Sequence, residues 1–524
     1  SKNARAAGSV PAASDFSSIT NRTMKTLYVE DLAASVTAAL QQVSHTHPAD
    51  FVAALKRARD RETQPAARGA LEQLLVNSRM SRQARRPVCQ DTGIANVYLK
   101  LGVEVRLATK DGGAVPGLRD VIDEAVGRAY TDPDNPLRAT VVADPLGRRR
   151  NTRNNAPGLV HVELVAGDAI EVVVAAKGGG GDVKARYKVL TPSDSIVDWI
   201  LNEIPTLGAG WCPPGVIGIG VGGAGPDETM RLAKEALYTP IDIDGLLAKG
   251  AETPEESLRL ELYQRINDLK IGAQGLGGDT TVLDVKVASA PCHAAMLPVA
   301  LIPNCAATRF VRFSLDGQGP ARFEAEDETA WDDIPDQLSV PDGIRVDLPS
   351  LAKADVAQWR RGQTLLLNGA LLTARDAAHK RLHQMLERGE PLPVELRDRV
   401  LFYVGPVDAV RDEVIGPAGP TTSARMDGYL DEMMGLGLLA TVGKAERTQP
   451  AVDAIRRHQG AYLVAVGGAA YLASRCIVAS RVVAFEDLGM EAIYEFEVRD
   501  FPVTVGVDAT GACLHRYIPI RSEY

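Results

Sequence analysis

No run of apolar residues in this chain approaches the ~20 needed to cross a bilayer as a helix. Residues 1–23, SKNARAAGSVPAASDFSSITNRT, carry no hydrophobic segment of the kind a secretory signal has. They are small, polar and aperiodic, and read as a disordered leader ahead of Met24. Positive charge is in deficit: 58 Lys and Arg against 67 Asp and Glu give a formal net charge of -9. Such a chain has no general attraction for nucleic acid or for an anionic membrane. An anionic ligand must be held by a local group of arginines and lysines, against the sign of the whole. Cysteine is scarce, six in 524 residues, which excludes a disulfide scaffold and fits a reducing cytoplasm. No two cysteines are spaced as CxxC, so zinc ribbons and ferredoxin-type runs are excluded as well.

What is present is globular. The chain is 45% hydrophobic and 24% charged, with material for two to four domains. Leu32, Val36, Leu40 and Val43 recur at helical spacing, and Pro48 suits the first turn of a second helix bearing Phe51 and Leu55. Val97, Leu99 and Leu101 alternate as in a strand. Leu159–Val165 and Ile170–Ala175 flank Ala166-Gly167-Asp168 and read as a β-hairpin. Val216–Val221 is a short strand leading into a helical pattern, and Thr281–Val287 and Leu297–Ile302 are expected as buried strands. The pattern breaks down near residues 325–350, which are acidic and contain proline; residues 331–350 are taken as a linker. Beyond it, strands at Thr364–Leu367, Val400–Val404, Ala461–Val466 and Val482–Phe485 alternate with helices at Arg375–Glu387 and Ala451–His458. The fold class expected is mixed α/β: a large N-terminal domain over 24–330 and a smaller α/β domain over 351–524.

Three cysteines stand out by their surroundings. Cys89 lies in RRPVCQDTG, Cys212 in GAGWCPPG and Cys305 in IPNCAATR, each at the edge of an apolar strand beside Pro, Gly or Asn. Such loops let a thiol face a cleft, and thiolates favour zinc or iron–sulfur. Cys476 and Cys513 lack this setting. Three thiolates on a cluster of four irons would leave one iron open as a Lewis acid for a carboxylate and a hydroxyl.

Taken in order, CQDTG at Cys89, KGGGG at Lys177, WCPPG at Cys212, IGAQGLGG at Ile271, NCAATR at Asn304, RDAAHKR at Arg375, AGPTTSARMD at Ala418 and GMEAIYEFEV at Gly489 resemble the class I, iron–sulfur-dependent fumarase family, which also includes mesaconases and tartrate dehydratases. The resemblance runs from about residue 27 to the C-terminus. It implies a homodimer acting on a small dicarboxylate, with an N-terminal domain that binds an oxygen-sensitive [4Fe-4S] cluster and a swivelling C-terminal domain that closes over the site. Matched by motif, Cys89, Cys212 and Cys305 are the three cluster ligands. Gln90, Arg138, Gly180, Arg375, Arg425 and Lys444 would bind substrate: the cations grip carboxylates, and Gly180 offers a backbone N–H from a glycine-rich turn. Thr421 matches the family's proton-abstracting residue, with Asp91 drawing off its proton, and His293 matches an acid or hydrogen-bond donor.

The sequence departs from the family in places. Cys292 stands before His293 where the family usually has Thr, GGAGPDETM follows the second-ligand strand, and Ala374 replaces a glycine before Arg375. These changes leave the ligands and cations intact and point to a pocket that takes mesaconate as well as fumarate. One rival reading exists. Gly218-Ile-Gly220-Val-Gly-Gly223 is a literal GxGxxG after a strand, with Asp242 and Asp244 some 20 residues on, as in an NAD-dependent dehydrogenase.

Overall fold

The computed structural model describes residues 24–323 and 328–515; the expected leader, 1–23, lies outside them. The protein is mixed α/β. After a short strand, Lys25–Tyr28, come helices Val29–His45, Ala49–Arg61 and Pro65–Ala84, with Val36, Leu40, Phe51, Leu55, Leu71 and Leu74 buried along their inner faces. Pro48 stands at the cap of the second helix, one residue ahead of its expected place.

Two four-stranded sheets follow. The first runs Phe310–Leu315, Ile170–Lys177, Ile94–Gly102, Leu159–Val165. The expected hairpin is therefore absent. Leu159–Val165 and Ile170–Lys177 lie on opposite sides of Ile94–Gly102, parallel and antiparallel to it. Gly102 N donates to Ala169 O (3.0 Å) and Val103 N to Val165 O (2.9 Å), so the 166–168 loop wraps the end of the intervening strand. Ala95, Val97 and Leu99 are buried, and the strand that carries them takes the centre, where both its edges are paired.

The second sheet runs Arg186–Leu190, Leu297–Asn304, Gly215–Gly222, Val282–Ala290. Gly218 and Gly220 lie inside a strand, and a Cβ on either would collide with the backbone of helix Pro226–Ala236 at Ala233 and Thr229. Their role is close helix-on-strand packing. A dinucleotide fingerprint places its glycines in the turn after the strand, so the dehydrogenase reading fails on geometry.

The C-terminal part is built on one seven-stranded sheet. Thr364–Thr373, Val400–Phe402, Ala440–Gly443 and Ala461–Val464 run parallel. The long strand Ile493–Val507 is antiparallel to both Ala461–Val464 and Thr364–Thr373, which closes these five into a ring. Ile344–Asp347, inside the stretch read as a linker, pairs with Thr364–Thr373, whereas Trp331 and Ile334 pack against the N-terminal helices. One apolar cluster spans both parts: Phe51, Leu55, Leu71 and Leu74 meet Leu430, Ile455, Val464 and Leu472.

Beneath the ring, the fully buried Arg447 pairs with Asp427 at 2.6 Å, and its guanidinium sits 5.0 Å from the Tyr462 ring centre. Asp427 also accepts from Thr448 N and Oγ1, both at 2.7 Å. Asp427→Ala would strand a buried charge. The expected loss is about 3–5 kcal/mol of stability, checked by the shift in a urea denaturation midpoint.

Candidate active site

The three cysteine loops meet at one place. Cys89 lies between helix Pro65–Ala84 and strand Ile94–Gly102; Cys212 precedes Gly215–Gly222; Cys305 directly follows Leu297–Asn304. Ala306 N donates to Cys212 O (3.0 Å), joining the second and third loops, and Cys305 packs with Val88, Cys89 and Ala307. Cys212 adopts the left-handed conformation (φ 57°), which is uncommon for a residue with a Cβ and is found at functional turns. The other cysteines are elsewhere: Cys292 is exposed, Cys476 packs beside the C-terminal core and Cys513 beside the inter-domain cluster.

Burial pushes the Cys89 thiol up to about 11, with Arg309 opposing it and Asp91 adding to it. Cys212 is likewise raised by burial, against the pull of Lys444. Lys444 Nζ donates to Cys212 Sγ at 3.0 Å. Burial acts to lower the Lys444 pKa, but the charge of Cys212, Cys89 and Cys305 outweighs it, and the ammonium is held charged.

The C-terminal domain supplies much of the surrounding wall. Thr421 N donates to Tyr403 O (2.7 Å), Lys444 N to Thr421 O (3.1 Å) and Ser423 N to Lys444 O (3.0 Å), so Thr421 and Lys444 are laced side by side. Gln90 Nε2 donates to Pro420 O at 3.0 Å, reaching across from the Cys89 loop to the threonine loop. Asp91 is fixed at both oxygens: Oδ1 accepts from Gly93 N (3.1 Å) and Oδ2 from Gly179 N (2.9 Å). Gly180 follows in the same turn, and a Cβ there would lie 3.8 Å from Lys444 Nζ.

Three arginines form a second group beside this one. Arg138 Nη1 donates to Gly405 O at 3.0 Å, and an added Cβ on Gly405 would collide with Arg375 Nη1. Arg375 is buried, and its Nε and Nη1 have no hydrogen-bond partner among the described residues. Burial, with Arg138 adding to it, lowers its pKa to about 10, while Glu491 opposes. Arg425 grips Asp376 with two bonds, 2.9 and 2.7 Å. Val404 pairs antiparallel with Pro420, which sets Tyr403 opposite Thr421 and Gly405 opposite Gly419, so the two groups lie along one wall.

One expected residue is not brought in. His293 is exposed on the turn between Val282–Ala290 and Leu297–Asn304. Cys305 follows the far end of the second of these strands, so the strand's full run separates the two, about 25 Å at ~3.3 Å per residue. Proximity in sequence misled here because a strand carries its two ends apart. Three buried residues at the centre escaped the sequence reading: Arg309, whose Nη1 donates to Asp91 O, and the amides Asn77 and Gln274. Arg309 closes the NCAATR motif and Gln274 sits in IGAQGLGG, so both carried a signal; Asn77, inside a helix, carried none. Two clefts, of 710 and 470 Å³, share Tyr98 between the two N-terminal sheets and include no expected site residue.

Comparison with known proteins agrees with this architecture. The family model described as fumarate hydratase (fumerase) matches residues 33–314, and the fumarase C-terminus model matches 317–518. The aerobic class I fumarate hydratase of Escherichia coli is 31% identical over 454 residues, covering 84% of this chain and 81% of that protein. Fumarate hydratase 2 of Leishmania major is 31% identical over 490 residues, 90% of this chain and 84% of that protein. A Methanocaldococcus jannaschii protein named as an L(+)-tartrate dehydratase alpha subunit is 34% identical over 280 residues, 52% of this chain and 93% of that one. The chain belongs to the class I fumarate hydratase family and is a hydro-lyase. No helix among the described residues is long and apolar enough to cross a membrane.

Gly405→Ala would displace the Arg375 guanidinium without touching the apolar core. The expected outcome is about a tenfold or greater loss of affinity for a small dicarboxylate, the scale of one charge-assisted bond, with an unchanged thermal midpoint. Titration calorimetry with succinate and a melting curve check both halves.

Proposed function

We propose that this protein hydrates trans-2-butenedioates reversibly, fumarate to (S)-malate and mesaconate to (S)-citramalate, at a [4Fe-4S] cluster held by Cys89, Cys212 and Cys305. The observation that carries the reading is the convergence of three thiols, with no fourth, against a wall of cations from the other domain. Among the described residues, no group of three or more His, Cys, Asp or Glu side chains is placed to hold a single metal ion. Ligands of one zinc crowd to about 4 Å of each other, since each sits ~2.3 Å from the metal. A cluster asks for thiolates spread over several irons, and the donor set here, three thiols with Lys444 and Arg309 to balance charge, fits that demand. When bound, the cluster supplies an open iron that acts as a Lewis acid toward a carboxylate and a hydroxyl.

The chain's own residues do the rest. Arg138, Arg375 and Arg425 take the remote carboxylate, Arg375 with donors free for it. Lys444 and the Gly180 N–H stabilise the negative charge that builds as the proton next to that carboxylate leaves. Thr421 removes that proton in the dehydration direction. A hydroxyl is a weak base, so Asp91, fixed by two backbone N–H groups, draws the proton onward. Gln90 holds the threonine loop against the first ligand. His293 is out of reach of the centre in its own chain; it can serve substrate only where a second copy, in the homodimer we propose, presents that turn.

Anaerobically purified protein should show a broad absorbance shoulder near ~400 nm. Cys305→Ser should abolish hydration while the chain still folds by circular dichroism; full retained activity would reject the cluster model. Thr421→Ala should lower kcat by about 10²–10⁴ with cluster iron retained. Comparable kcat/KM for fumarate and mesaconate supports the broad substrate reading. No turnover of mesaconate ends it, and turnover of tartrate alone would favour the second reading that the M. jannaschii relative suggests, a tartrate dehydratase.

A further inference from the structure

A single turn of the C-terminal domain, Gly467 to Ala470, reaches all three cysteine loops. Gly467 passes so close to Cys212 that an added Cβ would collide with the sulfur, and the same Cβ would lie 3.1 Å from Lys444 Cδ. Gly468 adopts φ +92°, which favours glycine, and a Cβ there would lie 3.7 Å from Ala306 Cβ and Ala307 N, directly after Cys305. Two residues on, Ala470 N donates to Val88 O at 3.1 Å, directly before Cys89.

Two buried side-chain amides tie this turn down, each to a different ligand loop. Gln274, 2% exposed, donates from Nε2 to Pro213 O (3.0 Å) and to Gly467 O (3.1 Å), and its Oε1 accepts from Gly467 N (2.8 Å). Its backbone N donates to Pro213 O as well, at 2.7 Å. Asn77, fully buried in helix Pro65–Ala84, donates from Nδ2 to Val88 O and to Gly468 O, both at 3.0 Å, and its Oδ1 accepts from Leu472 N (2.9 Å). Each amide thus joins a backbone carbonyl beside one cysteine to the same glycine turn. Buried amides with every polar atom used hold one geometry, because any shift strands donors away from water.

We infer that Asn77 and Gln274 are positioning residues that set the Cys89 and Cys212 loops, respectively, against the Gly467–Gly468 turn. This rests on the reading of the three cysteines as one cluster site. It makes the C-terminal domain part of the cluster cradle as well as its cover. Whatever holds the glycine turn in place also holds the thiols at their spacing, and by linkage a bound cluster holds the two domains together.

The test uses the full chain, cluster-free and reduced, with iodoacetamide as the probe and peptide mass spectrometry to read each cysteine; exposed Cys292 is the internal standard. Gln274→Leu should speed alkylation of Cys212 about tenfold or more and leave Cys89 within about twofold. Asn77→Leu should do the converse. In protein loaded anaerobically, both variants should lose iron faster in air than wild type. Equal acceleration of Cys89 and Cys212 in each variant, tracking a lowered melting point, would show a merely structural role and overturn the inference, as would no change in either. If the leucine variants do not fold, Gln274→Glu and Asn77→Asp, which keep the acceptor and lose the donors, decide by the same pattern. A wild-type protein that takes up no cluster rejects the proposed function, while the alkylation pattern still decides the clamp.

Discussion

The site depends on the apolar seam in which helices Ala49–Arg61 and Pro65–Ala84 pack into the C-terminal domain. Phe51, Leu55, Leu71 and Leu74 share one buried cluster with Leu430, Ile455, Val464 and Leu472. Domains joined by small polar interfaces move freely; a continuous hydrophobic seam resists that. Two of the cysteine loops lie against this seam. Val88 follows the second of these helices, and Ala306 is itself in the cluster. Cations from a different domain therefore stand beside the thiols without being carried there by a ligand.

Charge in the centre is balanced locally and against the acidic whole. Lys444, on the strand-end loop after Ala440–Gly443, has its pKa raised despite burial because Cys212, Cys89 and Cys305 face it. Arg375 is the opposite case: burial and Arg138 both work against its charge, and Glu491 only partly offsets them. Two cations so close, with few partners, favour an anion between them more than either would alone. Asp376 and Glu491 fix the arginines from behind and leave donors of Arg375 free.

Much of the fold was legible because helical and strand periodicity are local. Helix Val29–His45 and strands Ile94–Gly102 and Leu297–Asn304 appear where spacing placed them. Partnership was not legible. Leu159–Val165 and Ile170–Lys177 look like a hairpin by every local rule, yet Ile94–Gly102 lies between them, and the closure of Ile493–Val507 onto Thr364–Thr373 joins residues more than a hundred apart. The same limit applied at the site. The glycines at 218 and 220 satisfy a phosphate-loop pattern but serve helix packing. His293 sits close to Cys305 in the chain and a strand's length from it in space.

The sequence by itself determined which chemistry is carried: three cysteines in turn-like settings, a set of basic residues in an acidic chain, and an order of motifs shared with one family. These are properties of residue type and neighbours along the chain, and they survive without coordinates. Only the tertiary structure decided which groups face each other. Lys444 on Cys212, Arg138 and Arg375 at Gly405, Arg309 at Asp91, and the glycine pair under the two amides are all contacts between segments distant in sequence. Such contacts follow from how a shared core seats two domains, and no local pattern encodes that.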